Sequence, residues 1–405
     1  MTKTNVPRLR FNEFIDEWDT TKFGNLYKKN FEKNEINFDK SKTISISKMK
    51  FNKEGNGADY SSLKSYKVLR VGDIAFEGHK NKNFEFGRFV LNDIGDGIMS
   101  PRFTSLRPIK NQYIPFMKYL VHLEKIIRPI LVKSTKAGTM MNELVVSDLL
   151  KQNINIPSYK EQQKIGSFIA KIDNLIELQT KKLEQLKKLK QGYLQKMFPQ
   201  DGESVPRLRF SGFSGDWKED KLKETLKVGK SGGTPSTKNK EYYDGTIPFL
   251  SIKDVTESNG IINDTEKHIN NDAIQNSSSW IVPKGSLTIS MYASIGSVAK
   301  FSSDVATSQA FFNMIFNDGI DVDFMYHFFN QYNLMGRWKR LIATGTQGNL
   351  NATEINNILV RIPSEEEQLK IASLLSKLDQ VINDQSKKIE VLKQQKKAYL
   401  QKMFL

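Results

Sequence analysis

Residues 156–198 read IPSYKEQQKIGSFIAKIDNLIELQTKKLEQLKKLKQGYLQKMF, and residues 362–404 read IPSEEEQLKIASLLSKLDQVINDQSKKIEVLKQQKKAYLQKMF. They match without a gap at 24 of 43 positions, at an offset of 206. Each opens Ile-Pro-Ser-x-x-Glu, with Ser158 and Ser364 as N-cap candidates and Glu161 and Glu367 three residues on, the pattern of a capping box. Apolar residues then recur in alternating steps of four and three. In the first copy the seam runs Ile165, Ile169, Ile172, Ile176, Gln179, Leu183, Leu186, Lys190, Tyr193 and Met197. In the second it runs Ile371, Leu375, Leu378, Ile382, Gln385, Ile389, Leu392, Lys396, Tyr399 and Met403. A seam this narrow, sustained over about four heptads, predicts a coiled coil. Its interruptions recur too: Gln179 with Gln385, Lys190 with Lys396. A polar seam residue lowers stability and helps set register. Residues 156–198 carry 9 Lys against 4 acids, which reads as a solvated coiled-coil flank.

A shorter repeat precedes each globe. Residues 6–18, VPRLRFNEFIDEW, and 205–217, VPRLRFSGFSGDW, share 8 of 13 positions at an offset of 199. Trp18 and Trp217 hold matching places and read as buried staples joining leader, globe and helix end. Segments 19–155 and 218–361 differ in sequence, with faint echoes: Gly72-Asp73-Ile74 with Gly285-Ser286-Leu287, Phe116-Met117 with Phe324-Met325, Gly138-Thr139 and Asn142 with Gly345-Thr346 and Asn349. Strand alternation (Ile44, Ile46; Ile247, Phe249; Leu287, Ile289, Met291) mixes with one amphipathic helix in each. The expectation is an α/β fold of mixed α+β type with an internal pseudo-twofold repeat: globular domain 1–155, first long helix and linker 156–204, second globular domain 205–361, second long helix 362–405. Only six residues separate Phe198 from Val205, so by the repeat Phe404 should lie beside Val6 and the helices should pair antiparallel. Helices of about 39 residues span about 58 Å, which predicts two globes on a stiff two-helix spacer.

The chain has 405 residues and a net charge of +16. Excess positive charge favours a polyanion, most often nucleic acid. There is no Cys, which excludes a disulfide framework, a thiolate metal site and a cysteine nucleophile. His79, His122, His268 and His327 stand at no ligand spacing, which argues against a zinc enzyme and predicts no metal site. No apolar run reaches membrane-spanning length, and the polar, basic opening carries no secretory pattern, so the cytoplasm is the expected compartment.

Candidate DNA contacts are basic, hydroxyl and aromatic side chains in loops. The stretch 79–88 offers Lys80, Lys82 and Arg88 around Phe84. Arg102 sits in a Ser-Pro-Arg-Phe turn. Lys133 and Lys136 precede Gly138, and Thr344 and Gln347 lie in the matching stretch of the second globe; backbone N–H groups there suit phosphate, although a structural loop with Asn142 and Asn349 as caps suits the repetition equally. The stretch 231–243 offers Ser231, Thr234, Ser236, Lys238, Lys240, Tyr242 and Tyr243. Gly229-Lys230-Ser231 mimics a phosphate-binding loop, but position 224 is Glu where such a loop needs Gly. No glycine loop for S-adenosylmethionine, no Asn/Asp-Pro-Pro-aromatic motif and no nuclease signature stands out, so no catalytic residue is assigned.

These motifs together, the doubled V-P-R-L-R-F-x-x-F…W leader, the doubled I-P-S-x-x-E-Q-x-K-I and the doubled Y-L-Q-K-M-F, resemble the specificity subunits of type I DNA restriction-modification systems over nearly the whole length. The resemblance implies a noncatalytic subunit whose two globes each read one half of a bipartite duplex target while the helices set the spacer. It implies two methyltransferase subunits and motor-nuclease subunits as partners, with S-adenosylmethionine, ATP and Mg on those partners and no cofactor in this chain. The other readings are a coiled-coil adaptor with protein-binding globes and a self-sufficient methyltransferase or nuclease.

Overall fold

The structure is a computed structural model and describes residues 5–404 other than 37, 55, 56, 58, 139, 140, 259 and 345–348. The chain forms two compact units, Met1–Gln179 with Ile389–Leu405, and Thr180–Lys388.

In unit one the strands are β1 (Asp19–Lys22), β2 (Tyr27–Lys29), β3 (Ile44–Ser45), β4 (Lys50–Phe51), β5 (Lys67–Leu69), β6 (Ile74–Glu77), β7 (Arg88–Leu91), β8 (Gly97–Met99) and β9 (Thr104–Pro108). Helices α1 (Ile114–Leu120) and α2 (Glu124–Val132), strands β10 (Thr135–Lys136) and β11 (Glu143–Leu144), helix α3 (Val146–Leu150), strand β12 (Asn153–Ile156) and the start of α4 (Tyr159–Lys196) complete it. The main sheet has the order β2-β9-β6-β7, with β6 antiparallel to both neighbours.

Unit two holds β13 (Lys218–Lys221), β14 (Leu226–Ser231), β15 (Ile247–Leu250), α5 (Ile252–Glu257), β16 (Ile261–Ile262), β17 (Lys267–Ile269), α6 (Asn271–Gln275), β18 (Ile281–Val282), β19 (Leu287–Ser290), β20 (Val298–Phe301), β21 (Val305–Thr307) and β22 (Phe311–Phe316). Then come α7 (Val322–Leu334), α8 (Arg337–Thr344), α9 (Ala352–Asn356), β23 (Leu359–Ile362) and α10 (Glu365–Met403). Its main sheet has the order β14-β22-β19-β20-β16, and a second sheet the order β17-β15-β21-β18. The first four strands repeat the unit-one order. Gly72 and Gly285, both at positive φ (91° and 84°), make the turns that open the central strands β6 and β19. Phe116, Met117, Phe324 and Met325 are all buried, on α1 and α7. Each unit therefore has the expected mixed fold. The expectation of one amphipathic helix per segment is corrected: several short helices are present, too brief for a 3.6-residue period to stand out.

The leader and the long helices close each unit in the same way. Strand β1 pairs with β12 (Asp19 opposite Ile156), and β13 pairs with β23 (Lys218 opposite Ile362). Trp18 packs edge-on against Phe116 and Phe404 at 5.9 and 6.4 Å; Trp217 packs against Phe198 and Phe324 at 6.2 and 5.7 Å. The N–H of Leu9 donates to Lys402 O at 2.9 Å, and that of Leu208 to Lys196 O at 2.8 Å. The capping boxes are half formed. The N–H groups of Glu161 and Glu367 donate to Ser158 Oγ and Ser364 Oγ at 3.3 and 3.4 Å, but the two carboxylates go elsewhere. Glu161 takes a two-pronged pair from Arg10 at 2.7 Å on each prong and Trp18 Nε1 at 3.3 Å; Glu367 takes Arg209 at 2.8 Å on both prongs. A bidentate guanidinium outcompetes a lone N-cap N–H for a buried carboxylate.

The start of each long helix runs antiparallel to the end of the other within a unit, as Phe168 against Tyr399 shows at 4.9 Å. Every seam residue from Ile165 to Met197 and from Ile371 to Met403 is buried or half-buried. The seam lysines are not bare polar layers: Lys396 Nζ meets Asp173 at 2.6 Å in unit one, and Lys190 Nζ meets Asp379 at 2.5 Å in unit two.

Candidate nucleic-acid interface

Folding uses up part of the basic charge of unit one. Arg70 pairs with Glu32 and Asp96, and Arg107 pairs with Glu32 and Asp73. Asp73 is fully buried; burial raises its pKa while Arg107 pulls the other way. Lys118 pairs with Asp93, and Arg128 with Glu85. Arg88 belongs to this group. Its Nε meets Glu77 at 2.6 Å, its Nη2 donates to Ser47 O at 2.8 Å, and the guanidinium lies 5.0 Å from the Phe84 ring. It was expected among the DNA contacts; in the structure the facing acid across the β6–β7 hairpin pairs with it.

Lys80 and Lys82 remain exposed in the β6–β7 loop, as do Lys133 after α2 and Lys136 on β10, and among the described residues none of the four makes an ion pair. The structure brings the two stretches together. Asn142 N donates to Gly78 O and its Nδ2 to Glu85 O, both at 2.8 Å, so the β10–β11 hairpin clamps the β6–β7 loop. The close approach needs Gly78, since a Cβ there would sit 2.1 Å from Asn142 O. Asn142 is thus a clamp, not a helix cap. In unit two the equivalent backbone bond runs from Leu350 N to Met291 O at 3.0 Å, one residue beyond the expected partner Asn349.

Through Ser47, Arg88 also fastens the β3–β4 hairpin to this surface. That hairpin carries exposed Lys48 and Lys50 and turns through Met49 at φ 43°, a left-handed conformation uncommon outside glycine. Phe103 packs on the cluster under the hairpin, beside Met49 and Phe51. Its neighbour Arg102 is exposed and lies 4.8 Å over the Phe103 ring. Lys67 donates to Phe103 O at 2.6 Å, and burial lowers its pKa. Sequence reasoning missed the hairpin. The signal was there: Lys40, Lys42, Lys48, Lys50 and Lys53 crowd 14 residues around a turn.

In unit two, the 231–243 stretch leaves the end of β14. Gly232 and Gly233 pass hard against Thr307 and Ser278, where a Cβ would come within 2.0 and 2.1 Å. Ser231 is half-buried, and its carbonyl accepts from Trp280 Nε1 at 3.1 Å. Thr234 bonds Gln309 at 2.5 Å, and Ser236, Lys238 and Lys240 are exposed. The tyrosines were expected among the DNA contacts; the structure leaves both half-buried. Tyr242 and Tyr243 join a cluster with Phe249 and Ile269, and Tyr243 donates its hydroxyl to Pro235 O at 2.8 Å. Burial raises the Tyr243 pKa. Gln347 and the Thr344 side chain lie outside the described residues. Among the described residues no group of three His, Asp or Glu is placed to hold a metal, and no helix is long and apolar enough to cross a membrane.

Both units thus present loops of unlike sequence on one repeated sheet-and-helix frame. The family model for the type I restriction modification DNA specificity domain matches residues 15–188 and 214–394. The chain is 34% identical over 178 residues to the MjaIX specificity subunit of Methanocaldococcus jannaschii, a match covering 44% of this chain and 41% of that protein. It is 23% identical over 378 residues to the HindI specificity subunit of Haemophilus influenzae, covering 77% and 82%. It is also 23% identical over 421 residues to the putative MjaX specificity subunit of M. jannaschii, covering 98% and 95%. The crystal structure of a type I restriction-modification S subunit from M. genitalium superposes with a TM-score of 0.60 at 16% identity, covering 99% of both chains. A structure described for complex assembly of a type I system gives 0.55 at 16% identity, covering 96% and 97%. With both halves matched by one model and the same fold found in both units, the chain belongs to the type I restriction-modification DNA specificity family.

Proposed function

We propose that this chain is the noncatalytic DNA-recognition subunit of a type I restriction-modification complex. Each globe reads one half of a bipartite duplex target, and the complex works in the cytoplasm. Two methyltransferase subunits and motor-nuclease subunits are its partners. They supply S-adenosylmethionine, ATP and Mg; this chain supplies none. The observation that supports this most is the contrast within the repeat. Leader, ladder, Trp staple and helix ends recur nearly unchanged, whereas the exposed loops around Lys80, Lys136 and Lys238 differ between units. A frame used twice with different loops suits two half-sites and one repeated partner.

The test is duplex methylation by the chain expressed with its methyltransferase. Exchanging residues 19–155 for the same region of a relative should change one half of the methylated sequence and leave the other. A target altered in both halves, or unaltered, contradicts one globe per half-site. Labelled S-adenosylmethionine should bind the assembled complex and not the isolated chain; binding to the isolated chain would make it an enzyme in its own right.

A further inference from the structure

Both units contain the same groove. In unit two it encloses about 700 Å³ between Phe198, Asp201, Arg337, Arg340, Asn357 and Arg361. In unit one it encloses about 940 Å³ between Arg8, Lys125, Lys133, Lys151, Asn155 and Phe404. Five wall positions correspond at the offset of 206 that relates the long repeats: Phe404 with Phe198, Lys151 with Asn357, Gln152 with Ile358, Asn153 with Leu359 and Asn155 with Arg361.

In the unit-two groove the chain itself supplies an acid to the wall. The linker that follows α4 forms part of that wall, and the Asp201 carboxylate lies 2.9 Å from Arg337 Nη2 and 3.1 Å from Arg340 Nη1. Arg361 Nη1 donates to Gln200 O at 3.2 Å, so a backbone carbonyl is gripped as well. Among the described residues the unit-one walls carry more positive charge and no such acid. Among the described residues no Asp or Glu lines its groove, and Arg8, Lys125 and Lys133 make no ion pair. Lys151 meets only Asp148, at 3.5 Å.

We propose that the unit-one groove binds an acidic polypeptide segment of a partner protein, its carboxylate meeting the basic wall as Asp201 does in unit two. Charge complementarity calls for an anion, and the anion that meets the arginines of the sister groove is a polypeptide carboxylate. One strip of the wall, Ile126, Pro129, Ile130 and Phe404, is apolar, beside the amides of Asn5, Gln152, Asn153 and Gln401. Side chains of a peptide can cover that strip; a phosphodiester backbone has no apolar group to do so. The inference stands apart from the DNA reading, since it concerns a groove built from leader, α2 and helix end rather than the variable loops.

The probe is a fluorescent acetylated hexapeptide of the linker sequence, Pro-Gln-Asp-Gly-Glu-Ser, titrated into the full chain at low salt. In the unit-two groove the tethered Asp201 competes for Arg337 and Arg340 at high effective concentration, so the probe should bind there more weakly. Saturable binding is expected. It should weaken about tenfold in Lys125→Glu/Lys133→Glu, and by a similar factor when the peptide Asp is replaced by Asn, a change of about 1.4 kcal/mol. Lys64→Glu, an exposed change elsewhere in unit one, should leave it intact. Both lysines are exposed, and an unchanged circular dichroism melt will show that the variant is folded. Absence of binding, or equal binding by the double variant, overturns the proposal. Displacement of the peptide by a short DNA duplex also overturns it and assigns the groove to phosphate.

Discussion

Arg10 and Arg209 perform one task in two places. Each projects from a Pro-Arg-Leu-Arg leader and grips a glutamate whose side chain is 1% exposed. Each guanidinium pKa is raised by its hydrogen bond to that glutamate. Removing the arginine leaves a buried carboxylate unpaired, which costs about 3 kcal/mol. Arg10→Ala should lower stability by about that much in urea denaturation, and Arg10→Lys should recover only part, because an ammonium cannot make both prongs. A loss below about 1 kcal/mol would mean that water reaches Glu161. Charge near the DNA face sorts by the same rule. Lys80→Ala/Lys82→Ala should reduce the salt slope of duplex binding by about two, since each released phosphate contact is worth nearly one. Arg88→Ala should instead lower stability, because its partners are Glu77 and Ser47. If Arg88→Ala alone flattens the slope and the lysine pair does not, the assignment is reversed. The sequence displayed these charges but not their partners. Glu77 stands across a hairpin from Arg88, and nothing in their spacing says that they meet; the packing of Tyr242 and Tyr243 was hidden the same way, since a tyrosine in a polar stretch gives no sign of the cluster beneath it.

At the scale of elements, the long helices were legible because a seam repeated over many turns accumulates signal, whereas α3 and β10 are too short to show a period. The seam pattern could not show what answers its lysines. In unit one Lys396 meets Asp173, and the Tyr119 hydroxyl donates to the same carboxylate at 2.7 Å. In unit two Lys190 meets Asp379, and His327, at the place of Tyr119, sets its Nε2 3.0 Å from Ser376 Oγ and its Nδ1 3.9 Å from Asp379. His327 is fully buried; burial, then Lys190 and Lys300, pull its pKa down to about 3. The imidazole is therefore neutral in the fold and titrates near 6.5 when unfolded. Between those values the unfolded chain binds the extra proton, so the folded state loses stability as pH falls from about 6.5 toward 3. One such group contributes at most about 1.4 kcal/mol per pH unit. His327→Gln should reduce the fall in stability between pH 6.5 and 4.5 relative to the parent chain. Parallel pH profiles for the two would show that His327 is accessible to protons in the folded state.

At the scale of the whole molecule, the chain closes the same contact twice, once within a continuous stretch and once between its two ends. Leu208 N donates to Lys196 O across the linker that follows α4, and Leu9 N donates to Lys402 O with no linker between them. The aromatic staples agree: Trp217 meets Phe198 as Trp18 meets Phe404. The physical requirement on each unit is that a leader meet a helix end; covalent continuity is incidental to it. The linker Pro199–Ser204 shows that six residues suffice to close that contact. Joining Phe404 to Val6 through six residues, in place of Leu405 and Met1–Asn5, and reopening the chain between Gln200 and Gly202 should therefore preserve both units. The permutant should melt within a few degrees of the parent and methylate the same target when expressed with the methyltransferase. The sequence of the joining segment adds a second reading. Pro-Gln-Asp-Gly-Glu-Ser would place a tethered carboxylate beside the unit-one groove, so that permutant should no longer bind the free hexapeptide, whereas one joined through Gly and Ser should bind it still. A permutant that is unfolded with both joining sequences would show that the end-to-end contact depends on separate chain ends, and the equivalence of the two closures would fail.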